Sequence, residues 1–410
     1  MDNVLAIIGE YNPFHNGHLY HLAETKKITN ANYSIAIISG NFVQRGNVSI
    51  VDKWAKTKMA LLNGIDLVLE LPCIYSISSA ENFALGAIKT LNSLKIVDTL
   101  SFGCELNDIS ILKEFANILT EEPEEFKSLL SHELSKGISF PKARENALLM
   151  YLNDIRKYAN VLSSPNNILA IEYLKALNLT KSTIEPLAIK RAGPGYNSKM
   201  IVDNFASATS IRELIKKRNL YAMDKLMPKA SYDILIDAIK AGHYVSGIEK
   251  FEKEIMFTLR NMTVAEIANL PDVNEGLENL IKTAANSCNN LNEFMGLVKS
   301  KRYAQTRIFR ILLYALLGFS KEDMENSKKI EPYIRVLGFN SNGQKILSEI
   351  CHANKKLPVV TSVKDFTTTC RNRKLLMMLE KDIQATNIYT LGYEYDSYSN
   401  LDYTTKLITY

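Results

Sequence analysis

Two histidines, His15 and His18, stand three residues apart just after the apolar run that opens the chain. An imidazole N–H can donate a hydrogen bond to a phosphoryl oxygen where charge develops at an α-phosphate or its leaving group. At the start of a helix, residues with this spacing lie about one turn apart and can face the same side. Gly17 carries no side chain, so a nucleotide can approach the backbone closely. The segment predicts a phosphate-binding turn with His15 and His18 as its catalytic pair.

The same histidines could instead form half of a zinc site, because His21 continues the spacing of three. No cysteine or carboxylate follows at the spacing of a zinc finger, which favours the phosphate role. His21 alone is typical of a partly exposed helix residue. The sequence identifies no set of metal ligands.

A second group of hydroxyls, on Ser207, Thr209 and Ser210, stands directly before Arg212. Ser210 and Glu213 have the spacing of a capping box, which predicts a helix over 211–217. Hydroxyl and N–H groups at such a helix start, with a guanidinium beside them, can hold the β- and γ-phosphates of a nucleotide. An ordinary helix cap is the alternative.

Strand-like and helix-like segments alternate over the first ~215 residues, the pattern of a mostly parallel α/β sheet. We expect strands at 4–8, 33–39, 66–71, 97–102 and 182–190, and helices at 17–28, 51–63, 79–94 and 165–177. The histidines then fall where the first strand ends and the first helix begins, the place where open α/β sheets bind ligands. We predict a Rossmann-like parallel-sheet domain over residues 1–218.

From about residue 216 the strand signal fades. Periodic helical segments follow at 231–241, 247–260, 275–288, 302–318 and 371–384. We predict a mainly helical second domain over residues 219–410, with a small mixed region near the C-terminus as an option. The boundary carries no Gly/Ser-rich or Pro-rich linker.

The composition excludes several classes of protein. The 410 residues carry a formal net charge of +5 and five scattered cysteines without a C-x-x-C pair, which fits a reducing compartment. No apolar stretch reaches the ~18 residues of a membrane helix, and the N-terminus lacks the basic region of a signal peptide. We expect a soluble cytoplasmic protein with no membrane partner.

Basic and aromatic residues cluster late in the chain, where they form the footprint expected for a nucleic-acid backbone and unstacked bases. The candidates are Lys301, Arg302, Tyr303, Arg307 and Arg310. A solvated helix face is the alternative reading of the charges. At helical spacing, some of the aromatic side chains are also expected to belong to the core.

The segment from Asn12 to His18, Asn-Pro-Phe-His-Asn-Gly-His, resembles the HxGH signature of the nucleotidyltransferase superfamily, and 206–212 resembles that superfamily's second signature. The resemblance narrows to the bacterial tRNA(Met) cytidine acetate ligase family. The segments that carry it are 39–46, 52–54, 101–103, 164–169 and 189–196, and it extends from residue 4 to about 315. A class I aminoacyl-tRNA synthetase is disfavoured because the chain lacks a lysine-rich KMSKS segment.

This resemblance implies a two-step reaction in which ATP and acetate give acetyl-adenylate, and the wobble cytidine of elongator tRNA(Met) then takes the acetyl group on N4. It also implies an ATP site, to which we add the hydroxyls of the second segment. The expected ATP-binding residues are Ile7, Ile8, Gly9, Glu10, Tyr11, Asn12, Pro13, Phe14, His15, Asn16, Gly17, His18, Leu19, Tyr20, Gly103, Asn166, Asn167, Arg191, Ser207, Thr209, Ser210 and Arg212.

Three further expectations accompany the resemblance. Lys53 is a candidate catalytic cation with Arg191 as an alternative, although Lys53 and Arg45 could equally be surface charges. Mg²⁺ is expected to bridge the phosphates, with unknown ligands. Lys301, Arg302, Tyr303, Arg307 and Arg310 are expected to contact the tRNA.

Two other functions stay open from the sequence. An adenylyltransferase acting on a small metabolite fits the first domain, but it would leave ~190 helical residues without a role. A non-catalytic RNA-binding protein would not need His15, His18 and Arg212.

Overall fold

The computed structural model describes residues 3–106, 108–158, 161–191, 205–274, 276–300 and 303–410. Its strands are β1 (Val4–Gly9), β2 (Tyr33–Ser39), β3 (Phe42–Val43), β4 (Asn47–Val48), β5 (Leu67–Leu71), β6 (Thr99–Cys104), β7 (Glu185–Lys190), β8 (Ile334–Phe339), β9 (Val359–Val360) and β10 (Ile408–Thr409).

Helices connect and cover these strands. In the first part of the chain they are α1 (Asn16–Thr29), α2 (Lys53–Leu62), α3 (Cys73–Ser76), α4 (Ala80–Leu94), α5 (Ile109–Glu121), α6 (Glu124–Ser135), α7 (Phe140–Leu152), α8 (Ile155–Tyr158), α9 (Pro165–Leu179) and α10 (Ala208–Lys216). The later ones are α11 (Lys229–Lys240), α12 (Glu252–Asn261), α13 (Val264–Ala268), α14 (Leu277–Ser287), α15 (Leu291–Val298), α16 (Gln305–Leu317), α17 (Lys321–Lys329), α18 (Ser341–Ala353), α19 (Val363–Thr369), α20 (Arg373–Tyr389) and α21 (Leu401–Thr404).

Five parallel strands form the centre of the sheet, in the order β5-β2-β1-β6-β7. Alternate residues of β1 pack into two separate apolar cores, with Val4 and Ala6 in one and Leu5 and Ile7 in the other. A strand that is buried on both faces in this way is typical of a parallel sheet covered by helices on both sides. The Rossmann-like parallel sheet that the sequence predicts is confirmed.

Strands from the second half of the chain complete this sheet. β8 pairs antiparallel with β5, and both β9 and β10 pair parallel with β8. Residues 219–410 are mainly helical, as expected. The three strands β8, β9 and β10 form the small mixed region that the sequence predicts near the C-terminus without locating it. The division at residue 218 stays a prediction, but the sheet itself extends across it.

A buried ion cluster joins the C-terminal segment to the sheet. Lys53 at the start of α2 donates to both carboxylate oxygens of Glu70 on β5, at 3.0 and 2.9 Å, and to Oδ1 of Asp402 on α21 at 2.7 Å. Arg335 of β8 lies 3.4 Å from the same Asp402 oxygen. The four side chains are at most 6% exposed. Because the four side chains are buried, removal of one charge leaves its partners uncompensated.

Within the described part of the chain, no helix is both long enough and apolar enough to cross a membrane.

The ion cluster predicts a large effect of Asp402→Ala on stability. The substitution removes the carboxylate that faces both Lys53 and Arg335, so we expect the free energy of unfolding to fall by about 3–5 kcal/mol. Denaturant unfolding followed by circular dichroism measures this change. Asp396→Ala is the matched control, because Asp396 lies exposed in the same C-terminal segment and should change stability by no more than about 0.5 kcal/mol. Equal stability of the two variants would contradict the structural role of the cluster.

Candidate active site

A cleft of about 1250 Å³, counting the space that is open to solvent, lies at the carboxyl ends of β1, β6 and β7. The start of α1, the start of α9 and the start of α10 border it. This is the edge at which parallel α/β sheets bind ligands. The expected ATP-binding residues that line it are Ile7, Ile8, Gly9, Glu10, Tyr11, Asn12, His15, Gly17, His18, Tyr20, Gly103, Asn166, Arg191, Ser207 and Arg212.

His15 and His18 form a stacked pair at the start of α1. Their ring centroids are 3.8 Å apart and the ring planes differ by 25°. His15 is the N-cap of the helix, since its Nδ1 accepts a hydrogen bond from the Gly17 N–H at 3.0 Å. The backbone N–H of His15 in turn donates to Nδ1 of His18 at 3.2 Å. Because each Nδ1 accepts, the proton of each neutral ring is on Nε2, which leaves two N–H donors available to a ligand.

The electrostatics of the cleft keep both rings neutral. Burial lowers the pKa of His15 to about 3, and the nearby Arg191 and Arg212 add to this. Burial also lowers the pKa of His18 well below its usual range, with smaller contributions from His15, Arg191 and His21. At neutral pH the histidines are therefore hydrogen-bond donors without charge, and the arginines supply the positive charge that a triphosphate needs.

The absence of a side chain at Gly17 makes room for the His15 ring as well as for a nucleotide. A Cβ on Gly17 would lie 2.8 Å from Cε1 of His15 and 3.0 Å from its Nδ1. A side chain at this position would push the imidazole out of its capping position. The glycine thus permits the histidine pair itself.

His21 also lines the cleft. Its Nε2 lies 2.8 Å from Oγ of Ser101 on β6, and burial lowers its pKa to about 4. The sequence predicts a partly exposed helix residue, and the side chain is indeed only partly buried. The spacing of three from His18 was the signal that this residue faces the same cleft.

The histidine segment, residues 12–18, and the hydroxyl-rich segment, residues 207–212, are joined through the Arg212 side chain. Its NH1 donates to the carbonyl oxygen of Asn12 at 2.8 Å, and its NH2 donates to Oγ1 of Thr209 at 3.1 Å. The cap of α10 is Ser207, whose Oγ accepts from the Ser210 N–H at 3.1 Å. The predicted cap at Ser210 is therefore wrong, and the helix begins three residues earlier than expected, at Ala208.

Seven of the expected ATP-binding residues do not line the cleft: Pro13, Phe14, Asn16, Leu19, Asn167, Thr209 and Ser210. They support it instead, or they face elsewhere. Phe14 is fully buried, Asn16 donates to the carbonyl of Lys225 at 2.9 Å, and Leu19 is exposed on α1. Asn167 accepts from the Glu105 N–H at 3.0 Å and donates to the Val161 carbonyl at 3.1 Å, so only Asn166 borders the space.

Lys53, the expected catalytic cation, lies outside the cleft lining and is 0% exposed within the ion cluster. Lys190 is the lysine of the lining, and Lys56, one turn further along α2 than Lys53, binds the backbone beside the cleft. Its Nζ donates to the carbonyl oxygens of Glu10, Ser39 and Gly40, at 3.1, 2.6 and 2.6 Å. Burial lowers the pKa of Lys56 to about 7. Lys56 thereby joins the carboxyl ends of β1 and β2 beneath the histidine turn.

Several apolar side chains of the cleft are not among the predicted site residues, because they could not be told from ordinary core residues; they are Phe83, Phe102, Leu169, Tyr173 and Ile189. Phe102, Leu169 and Ile189 lie in segments that carry the family resemblance, which is the available signal. Gln44 and Arg45 also line the cleft, from a short 3₁₀ turn between β3 and β4. Arg45, left open as a surface charge, thus borders the site, with its backbone at φ 69°.

The predicted tRNA-binding residues divide into two groups. Lys301 and Arg302 lie outside the described residues. Tyr303 is only 8% exposed, and the Arg307 guanidinium lies 5.3 Å from the centre of its ring. Arg307 also donates to the Asp272 carbonyl at 2.9 and 2.7 Å, and Arg310 donates to Oδ2 of Asp272 at 2.7 Å. The two arginines attach α16 to the loop between α13 and α14, and Tyr303 is buried beside them. Tyr303 is therefore one of the aromatic side chains that belong to the core.

The turn at 44–46 lies between α16 and the cleft. Gly46 has φ +71°, and a Cβ there would lie 2.3 Å from the carbonyl carbon of Phe309 and 2.4 Å from the nitrogen of Arg310. The turn therefore packs backbone against backbone on α16. Its other side lines the cleft through Gln44 and Arg45.

Among the residues that the structure describes, no three or more His, Cys, Asp or Glu side chains are grouped so that they could hold a metal ion. The zinc alternative for His15, His18 and His21 has no support in this geometry.

A family model described as HIGH Nucleotidyl Transferase matches residues 2–403 of the chain. The chain belongs to this family. The match extends through β8, which agrees with the continuity of the sheet.

Close relatives and solved structures are similar over nearly the whole chain. The tRNA(Met) cytidine acetate ligase of Thermoanaerobacter sp. strain X514 is 46% identical over 405 residues, 99% of each chain. The protein of the same name from Acetivibrio thermocellus is 44% identical over 397 residues, 95% of each. The apo crystal structure of Thermotoga maritima TmcAL superposes with a TM-score of 0.95 at 33% identity, covering 99% of both chains. The same protein bound with alpha-thio ATP gives a TM-score of 0.92 over the same share of both chains at the same identity.

The contact between Gly17 and His15 predicts that Gly17→Ala weakens ATP binding. The new methyl group displaces the His15 ring, and with it the Nε2 donors of the stacked pair. We expect the dissociation constant for ATP, measured by calorimetry, to rise about tenfold, which corresponds to about 1.4 kcal/mol. Gly296→Ala is the matched control, since a Cβ at Gly296 of α15 would meet nothing within 4 Å. Unchanged affinity in Gly17→Ala would rule out a role of the pair in binding.

Proposed function

We propose that the chain is an ATP-dependent ligase that activates acetate as acetyl-adenylate and transfers the acetyl group to N4 of the wobble cytidine of elongator tRNA(Met). The observation that carries the proposal is the hydrogen bond from Arg212 to the Asn12 carbonyl, which brings the histidine turn and the start of α10 to one cleft. The names of the full-length relatives supply the substrate class. The transfer to a tRNA substrate would take place in the cytoplasm.

ATP would bind across the carboxyl ends of β1 and β6. Nε2 of His15 and of His18 would donate to phosphoryl oxygens, while Arg191 and Arg212 would neutralise the triphosphate. Gly103 at the end of β6 would leave space for the nucleoside beside Arg191, whose Cγ lies 3.3 Å from the position of a Cβ there.

In the first step, a carboxylate oxygen of acetate attacks the α-phosphorus and pyrophosphate leaves. Acetate is a weak nucleophile, so most of the acceleration must come from positioning and from stabilising the charge on the α-phosphate. Neutral histidines fit this role, because they donate hydrogen bonds and do not need to lose a proton during the step.

In the second step, the cytidine amine attacks the acetyl carbon and AMP leaves. The basic segment that contains Lys301 and Arg302 would contact the tRNA next to the start of α16. This position is supported by the packing of the 44–46 turn on α16, since the same turn lines the cleft. Arg307 and Arg310 would hold the start of α16 in place through Asp272.

Mg²⁺ would arrive with the triphosphate and neutralise its oxygens. The described residues offer no three-residue metal group of their own, so the phosphates would supply most of the ligands.

Acetate-dependent exchange between ATP and labelled pyrophosphate, with and without tRNA(Met), tests the proposal. We expect exchange with acetate and formation of N4-acetylcytidine when tRNA is added. Exchange only with another acceptor would favour an adenylyltransferase of small metabolites. Absence of exchange with any carboxylate would favour a binding protein.

The His18→Ala variant tests the role of the histidine pair in this reaction. Loss of one donor at the developing charge lowers the exchange rate by about 10²–10³-fold. His132→Ala is the control, because His132 is exposed on α6 and does not line the cleft. A His18→Ala enzyme as fast as this control would refute the assigned role.

A further inference from the structure

We infer that Glu10 is the proton acceptor of the transfer step, taking the proton that the cytidine N4 loses as it attacks the acetyl group. This inference rests on the proposed function. It assigns to Glu10 a catalytic role that is separate from ATP binding.

Glu10 is held firmly at the edge of the cleft. It follows β1 directly and lines the space together with the histidine turn. Its Oε1 accepts a hydrogen bond from the Gln44 N–H at 3.0 Å, and its backbone oxygen accepts from Nζ of Lys56 at 3.1 Å. The first bond orients the carboxylate and the second fixes the backbone that carries it, which suits proton transfer because that step requires a defined geometry.

The sign of its charge argues against a direct role in holding ATP. A carboxylate repels a triphosphate, and the cleft already has two arginines beside the histidines for that purpose. In the activation step there is no proton to remove, because acetate reacts as its anion. The transfer step, in contrast, produces a proton on the attacking nitrogen.

The surroundings of Glu10 adjust its proton affinity. Burial raises the pKa of its carboxyl, and this outweighs the opposing effect of Arg212 on α10, Arg45 in the 44–46 turn and Lys56 on α2. Tyr173 of α9 also faces it, and the proximity of Glu10 contributes to the raised pKa of that phenol. A carboxyl with a raised pKa is a stronger base than an ordinary glutamate and is still ionised once the pH exceeds that pKa.

The step is balanced without a further reactant. The bond from N4 to the acetyl carbon forms, and the bond from that carbon to the phosphate oxygen breaks, so that AMP leaves with the electron pair. N4 loses one proton to a Glu10 oxygen, and the proton passes to solvent through the open side of the cleft.

Glu10→Gln tests this role because it preserves the shape of the side chain and an oxygen that can accept from Gln44. We expect acetyl transfer to tRNA(Met), followed in single turnover from preformed acetyl-adenylate, to fall about 100-fold or more. The acetate-dependent pyrophosphate exchange should fall by less than about tenfold, since that step needs no base. Glu24→Gln on α1 is the matched control, because Glu24 lies outside the cleft lining.

The pH profile gives a second readout. In the wild-type enzyme the transfer rate should fall as the pH decreases through the raised pKa, because the protonated carboxyl cannot accept. Glu10→Gln should lack this acidic limb, whereas Glu10→Asp should retain it at a lower rate.

Two results would overturn the inference. If Glu10→Gln transferred as fast as Glu24→Gln, no base at this position would be needed. If exchange and transfer fell equally, Glu10 would belong to the activation step. Failure of the wild type to exchange with acetate would instead refute the proposed function, so the two failures are distinguishable.

Discussion

The cleft depends on one hydrogen bond between segments that are 200 residues apart, from the Arg212 guanidinium to the Asn12 carbonyl. The carbonyl belongs to the turn that carries the histidine pair, and the guanidinium is held on its other side by Thr209. Because these contacts form on folding, the cation and the imidazole donors are oriented before a nucleotide arrives. The entropy of ordering them is then not lost during binding, which is the physical content of preorganisation.

Within this frame, hydrogen bonding and charge are assigned to different residues. Burial lowers the pKa of both His15 and His18 and keeps the rings neutral, and Arg191 contributes at each of them. Backbone N–H groups at both Nδ1 atoms leave the remaining proton of each ring on Nε2. Protonated histidines would add charge but would be repelled by the nearby Arg191. The neutral pair instead adds directed donors to a site whose charge is already supplied.

The sequence predicts those parts of the molecule whose signals are local. The strand-then-helix pattern locates the histidine turn, and the hydroxyls before Arg212 identify the second segment. It could not assign Lys53 to the ion cluster, because the partners that bury this side chain are distant in the chain: Asp402 is 349 residues away. It also did not identify β8, because this six-residue segment is interrupted by Arg335 and Gly338 and has no clear period. The sequence predicts the cap of α10 at Ser210, whereas the structure has it at Ser207. Several neighbouring hydroxyls could cap this helix, and only the backbone geometry selects one of them.

The antiparallel pairing of β8 with β5 has a consequence for how this enzyme could be divided or recombined. A fragment that ended near residue 218 would present β5 as an open edge with unpaired N–H and C=O groups. It would also contain Lys53 and Glu70 without the carboxylate that completes their pairing. The second half of the chain therefore cannot be exchanged as an independent module, because the sheet beneath the histidines is built from both halves of the chain.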